Sequence, residues 1–191
     1  MAPTSGSRSG AYAVALQIGA DIMMHMTRRS FVAALPAAVH VAGANDRIRV
    51  ALIGAGGRGR DLLRSASAVE GVEVAVICDP DENRMRQMAA EGEKLTGRRM
   101  ALQPDLRKVM DDREIDAVIL TCCNHWHALA TVWAVQAGKH VYVEKPVSHD
   151  LLEGRMMVEA ARKYKRVVQA GTQRRSSDRK STRLNSSHRI R

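Results

Sequence analysis

Aromatic residues are scarce, with Phe, Trp and Tyr making up 3% of the 191 residues. That removes the stacking platforms on which single-stranded nucleic acid is held. Cysteine is limited to Cys78, Cys122 and Cys123, too few for a disulfide framework. Cys122 and Cys123 with His125 and His127 do not make a zinc site either. Adjacent thiols do not readily reach one tetrahedral ion, and the usual two-residue spacer is missing, so no metal is expected. No run approaches the roughly 18 apolar residues of a membrane span. Acidic residues are outnumbered, 20 against 30 Lys and Arg, for a net charge of +10. The surplus is not spread evenly. Residues 47–172 carry 20 basic and 17 acidic side chains, whereas residues 173–191 carry 7 and 1. The body therefore has no basic stripe, and a nucleic-acid partner is not expected.

The two ends lack the periodicity of a fold. Met26-Thr27-Arg28-Arg29-Ser30-Phe31-Val32 is a twin-arginine pattern, followed by an apolar stretch to Val41 and by Ala42-Gly43-Ala44. Residues 1–46 thus resemble an upstream segment plus a twin-arginine export signal, with cleavage expected after Ala44 and translation starting at Met24 or Met26. A periplasmic or otherwise exported product follows, or a cytoplasmic one if the signal is unused. Asp178 to His188 matches the conceptual translation of a common sequencing-library adapter. Residues 178–191 are accordingly read as adapter read-through, with the gene cut at about Ser177. The basic tail is then no guide to function.

Between the ends the pattern is informative. Val50 to Ile53 is a short apolar run, followed by Gly54, Gly56 and Gly59 in a Gly-x-Gly-x-x-Gly turn. Leu62, Leu63, Ala66 and Val69 then repeat at helical spacing. A second apolar run, Val72 to Cys78, ends in Asp79, twenty residues beyond Gly59. This is the fingerprint of a dinucleotide site: Gly54 for the tight turn, Gly56 for close approach of the pyrophosphate, Gly59 for helix–strand packing, and the acid for a ribose. Further along, Asp81 is expected to cap a helix from Glu82 to Leu95. Thr96 to Pro104 reads as a linking stretch and Asp105–Asp112 as a short helix. Asp116–Leu120 reads as a buried strand, and Asn124 as the cap of a helix over His125–Ala137 that Gly138 ends. Val141–Val143 is a strand, Asp150–Tyr164 a helix, and Val167–Ala170 a last strand. Alternating strands and helices describe an α/β, doubly wound parallel sheet, the Rossmann fold, over residues 47–172. Ligands bind such sheets beyond the carboxyl ends of the strands. Asp79, Thr121 to His127, Glu144, Lys145, Thr172 and Gln173 all fall on those ends.

From Ile48 to Ser177 the chain resembles the Gfo/Idh/MocA oxidoreductases. The resemblance rests on the glycine turn, Asp79, Asn124-His125-Trp126-His127-Ala128-Leu129, Gly138 through Glu144-Lys145-Pro146, and Gly171-Thr172-Gln173-Arg174-Arg175-Ser176. It implies an NAD(P)-dependent dehydrogenase acting on a sugar, cyclitol or related polyol, and a homo-oligomer when complete. Lys145 would take the catalytic role, contacting the substrate hydroxyl and the nicotinamide ribose. Gly54, Gly56, Gly57, Arg58, Gly59, Asp79, Thr121, Cys122, Asn124, His127, Glu144 and Lys145 would form the cofactor site. His125 and His127 would shape that site rather than transfer protons. Asp79 favours NAD over NADP, since a carboxylate repels a 2′-phosphate. Arg58 is the counter-argument. The chain departs from the family in two ways. Cys123 stands where proline is usual, and residues 173–177 only begin the second, α+β domain that carries the family's substrate pocket. Two other readings stay open: a glycosidase that uses bound NAD for a transient oxidation, and a non-catalytic nucleotide-binding protein. Glu144-Lys145-Pro146 argues for the dehydrogenase.

Overall fold

Runs such as Ala51–Ile53, Val74–Cys78, Ala117–Leu120 and Val141–Glu144 are buried without alternation, as strands covered on both faces must be. The computed structural model describes residues 47–172; the export-signal and adapter readings lie outside them. Six strands and five helices alternate: β1 (Ile48–Ile53), α1 (Gly57–Ser67), β2 (Val72–Cys78), α2 (Glu82–Thr96), β3 (Ala101–Gln103), α3 (Leu106–Asp111), β4 (Ala117–Leu120), α4 (Asn124–Gln136), β5 (His140–Glu144), α5 (Leu151–Tyr164) and β6 (Val168–Gly171). All strand pairs are parallel, and the order across the sheet is β3-β2-β1-β4-β5-β6. This is the expected doubly wound Rossmann arrangement, with the direction of winding reversing between β1 and β4.

Two apolar layers hold the sheet. On one face Leu62, Leu63 and Ala66 of α1 and Met85 and Met88 of α2 pack on Leu52, Ile77 and Ile119. On the other, Val109 and Met110 of α3, Ala130 and Ala134 of α4, and Met157 of α5 pack on Ala51, Val118 and Val141. Aspartates start three of the helices. Asp81, Asp105 and Asp150 each accept a hydrogen bond from a first-turn N–H, satisfying donors that a helix cannot satisfy itself.

Two expectations need correction. Residues 96–104 are not only a link, because Ala101–Gln103 pairs in parallel with Val76–Cys78 as β3. This edge strand is three residues long and mostly exposed, so it has too few residues and no burial pattern to reveal it. Asn124 is not a cap either. It is the first residue of α4, and Cys123 takes the cap position with no side-chain bond to the helix. Cys123 sits at φ −66°, ψ 146°, an extended geometry whose φ is the one a proline's ring would impose. The loop therefore follows the path open to proline although the residue differs.

Candidate functional site

The turn after β1 is built by close contact at two glycines and open space at the third. Gly54 has φ +105° and lies so near the turn after β4 that a Cβ would stand 2.6 Å from the Cys122 nitrogen. At Gly59 a Cβ would overlap the Gly54 carbonyl oxygen and press on Met88 and Thr121. At Gly56 nothing lies within 4 Å of a built Cβ. Helix α1 then begins with no side-chain cap and no acidic residue in its first turn. Its free N–H groups and partial positive charge make this a place for phosphate oxygens.

Asp79 closes the other side of the turn. One carboxylate oxygen accepts from the Ala55 N–H at 2.7 Å and the other from the Asp81 N–H at 2.9 Å. This fixes the carboxylate while leaving lone pairs for ribose hydroxyls. A cleft of about 860 Å³ opens beside it, lined by Gly54, Asp79, Arg107, Cys122 and Trp126 among others. Arg84 and Arg107 were not foreseen here. They arrive through α2 and through the segment after β3, whose placement depends on the unforeseen edge strand. Each is held by an acid of its own turn, Asp81 at 3.2 Å and Asp105 at 2.7 Å, and hydrogen bonding to Arg107 lowers the Asp105 carboxyl to about 2. Asp79, Asp81 and Asp105 thus oppose two guanidiniums along this wall.

The ends of β4 and β5 complete the edge. Thr121 turns its hydroxyl to the Gly54 and Ile53 carbonyls, at 2.7 and 3.1 Å, so it clasps the glycine turn. Cys122 and the exposed Cys123 line the cleft, and burial pushes the Cys122 thiol up to about 11. Asn124 is exposed at the start of α4. His127 is 1% exposed, with Nδ1 2.6 Å from the Pro146 carbonyl and Nε2 3.1 Å from that of Cys122. It joins the β4 and β5 turns and is not among the residues lining the cleft.

Glu144, the last residue of β5, is buried and holds Arg58, whose Nε and Nη2 both lie 2.7 Å from its Oε1. Burial works against the Arg58 charge, but the hydrogen bond and the charge of Glu144 outweigh it and raise the guanidinium above its ordinary value. Tyr142 donates to the same oxygen at 3.1 Å. Burial, then the Glu144 charge, push its hydroxyl up to about 12. Lys145 follows, exposed, with a cis bond to Pro146. Glu144 and Asp79 are separated by the β2–β1–β4–β5 order, three strand spacings or about 14 Å. Arg58 is therefore committed to the side of the site away from Asp79.

Open phosphate space, an uncapped helix, a strand-end carboxylate and a lysine turn lie along one sheet edge. Residues 48–172 match the model of the oxidoreductase family with an NAD-binding Rossmann fold, GFO_IDH_MocA. The chain belongs to the Gfo/Idh/MocA family. It is 31% identical over 126 residues to glycosyl hydrolase family 109 protein 1 of Akkermansia muciniphila, covering 62% of this chain and 26% of that protein. It is 33% identical over 130 residues to inositol 2-dehydrogenase of Salmonella typhimurium, covering 67% and 38%. Among solved structures, myo-inositol 2-dehydrogenase of Lactobacillus plantarum superposes with a TM-score of 0.64 at 24% identity, over 74% of this chain and 41% of that one; this likeness speaks for the fold. The chain spans well under half the length of each of these relatives. The cofactor of the family is NAD, and the open Gly56 turn and Asp79 fit it.

Proposed function

We propose that this Gfo/Idh/MocA chain is the cofactor-binding part of an NAD-dependent dehydrogenase acting on a sugar, cyclitol or related polyol. The observation that carries the reading is the pairing of empty space at Gly56 with an uncapped α1, facing the fixed carboxylate of Asp79. Gly57, Arg58 and Gly59 would present first-turn N–H groups to the pyrophosphate, and Asp79 would accept from the adenosine ribose. When bound, NAD supplies a hydride acceptor. Lys145 is assigned to the substrate hydroxyl, where an ammonium or amine at hydrogen-bond distance orients the group and moves its proton. Its exposure at the end of β5 leaves it accessible for that role. The inositol 2-dehydrogenases among the relatives support a polyol as the substrate class.

Asp79 and its acidic neighbours argue for NAD over NADP, since Arg84 and Arg107 are already paired and Arg58 is held by Glu144. Calorimetric titration of the 191-residue chain should show NAD bound at least about tenfold more tightly than NADP. Asp79→Ala should weaken NAD and narrow the gap, since losing charged hydrogen bonds costs about 1.5–3 kcal/mol. Tighter binding of NADP, or an Asp79→Ala preference equal to that of the parent, would sink the assignment.

A second reading has its own support. Two of the relatives at 31–32% identity are glycosyl hydrolase family 109 proteins, which suits a redox-assisted glycosidase built on the same cofactor site. Assay of the complete enzyme separates the two. Net NADH formation from a polyol supports the dehydrogenase, whereas sugar release without net NADH supports the glycosidase.

A further inference from the structure

Arg58 stands where helix physics disfavours a cation. It is the second residue of α1, in a turn that already concentrates partial positive charge and contains no acidic residue. Its counter-charge comes from 86 residues away, as Nε and Nη2 both reach Oε1 of Glu144 at 2.7 Å. Glu144 is 4% exposed and is bonded three ways. Besides Arg58, it accepts from the Tyr142 hydroxyl at 3.1 Å and, through Oε2, from the Lys145 amide at 3.3 Å. Space for the cluster depends on Gly171, where a Cβ would fall 2.6 Å from Tyr142 Oη and 2.9 Å from Glu144 Oε1. A buried carboxylate of this kind is tolerated only when its charge and lone pairs are matched.

The cluster therefore bridges two turns that are distant in sequence. One is the glycine turn after β1; the other, after β5, carries Lys145. Arg58 also keeps donors in reserve. Its guanidinium has five N–H groups, two are aimed at Glu144, and the Asp61 carboxylate is 3.8 Å from Nη1.

Resting on the cofactor reading above, we propose that Arg58 is a positioning residue for the nicotinamide half of the dinucleotide. Through Glu144 it fixes the Lys145 turn relative to the glycine turn. The adenosine half, seated at Asp79 about three strand spacings away, does not depend on it. This separation yields a readout that a general loss of stability would not produce. AMP carries only the adenosine half, whereas NAD carries both.

The test is calorimetric titration of the 191-residue chain with NAD and with AMP, alongside thermal unfolding. The variants are Arg58→Gln, Glu144→Gln, the double substitution and Arg58→Lys. Each single neutral variant should weaken NAD about tenfold, as expected for contacting residues, and change AMP less than about twofold. The double variant should bind NAD no worse than the weaker single, because both act through one contact. Arg58→Lys should recover part of the loss, keeping the charge but not the two-nitrogen grip. If Arg58→Gln does not fold, Arg58→Lys and Glu144→Gln carry the same NAD-against-AMP comparison. NAD affinity unchanged in the variants, or NAD and AMP weakened in parallel, overturns the inference alone. Failure of the parent chain to bind NAD overturns the cofactor reading and this inference with it.

Discussion

Gly56 and Gly59 stand three residues apart in one turn, yet their surroundings make opposite demands. A methyl group at Gly59 has nowhere to go, since the nearest atom is the rigid Gly54 carbonyl. Gly59→Ala should destabilise the fold by about 1–3 kcal/mol or more, the usual cost of overpacking against atoms that cannot yield. A methyl group at Gly56 meets nothing, and the backbone there has φ −83°, which alanine adopts freely. Gly56→Ala should cost at most about 1 kcal/mol, as a poorer helix cap, while filling the space where backbone and pyrophosphate would approach. NAD titration and urea unfolding of both variants check this. The expected split is a stable, weakly binding Gly56→Ala and an unstable Gly59→Ala. A Gly56→Ala protein that binds NAD like the parent would remove the glycine turn from the cofactor reading. The close packing at Gly54 and Gly59 was legible from their spacing between a strand and a helix, with Asp79 twenty residues beyond Gly59. Thr121 was not legible in this way. It was placed at the ligand edge, but its hydroxyl bonds the turn itself, and only the β1–β4 pairing shows that.

Elements with a long apolar period or an aspartate cap were readable almost to the residue. Strand β2 begins at Val72 and ends at Cys78, and α2 begins at Glu82 behind the Asp81 cap, as the sequence pattern predicts. What escaped was β3, because three edge residues carry no period, and the start of α4, because Asn124 has the composition of a cap without occupying the position. The α4 boundary makes a prediction of its own. Cys123 already holds a proline-like φ of −66°, and among the described residues its N–H has no backbone acceptor in the turn. Cys123→Pro should therefore leave the fold intact and raise its stability by about 0.4–1 kcal/mol, by restricting the unfolded chain. Thermal unfolding checks it. A marked loss of stability would show that Cys122 cannot take the extended conformation required of a residue before proline.

At the scale of the whole molecule, the crossing order of the sheet brings Cys78, Cys122 and Cys123 to one cleft from β2 and from the β4 turn. Sequence spacing alone shows an isolated thiol and an adjacent pair, so this gathering, like that of Arg84 and Arg107, needed the long-range pairing to be seen. It has a thermodynamic consequence. Burial, with the charges of Asp79 and Asp105, pushes the Cys78 thiol from 9.0 up to about 12, and burial pushes Cys122 up to about 11. In both cases the folded state favours the protonated thiol. The stabilisation is complete below pH 9, where folded and unfolded thiols are both protonated. From pH 9 upward the unfolded chain releases protons that the folded chain keeps, and stability falls until the folded thiols themselves titrate at about 11 and 12. Each thiol contributes a slope of up to roughly 1.4 kcal/mol per pH unit in that window. Urea unfolding between pH 8.5 and 10.5 should show this fall, and Cys78→Ala should flatten it by about one thiol's share whatever its effect on the absolute stability. Groups far from Cys78 that titrate in the same range cancel between parent and variant, so the difference in slope reports Cys78 together with its effect on the neighbouring Cys122. An identical slope in Cys78→Ala would mean that the thiol under Asp79 is not shielded from water as the packing of β2 requires.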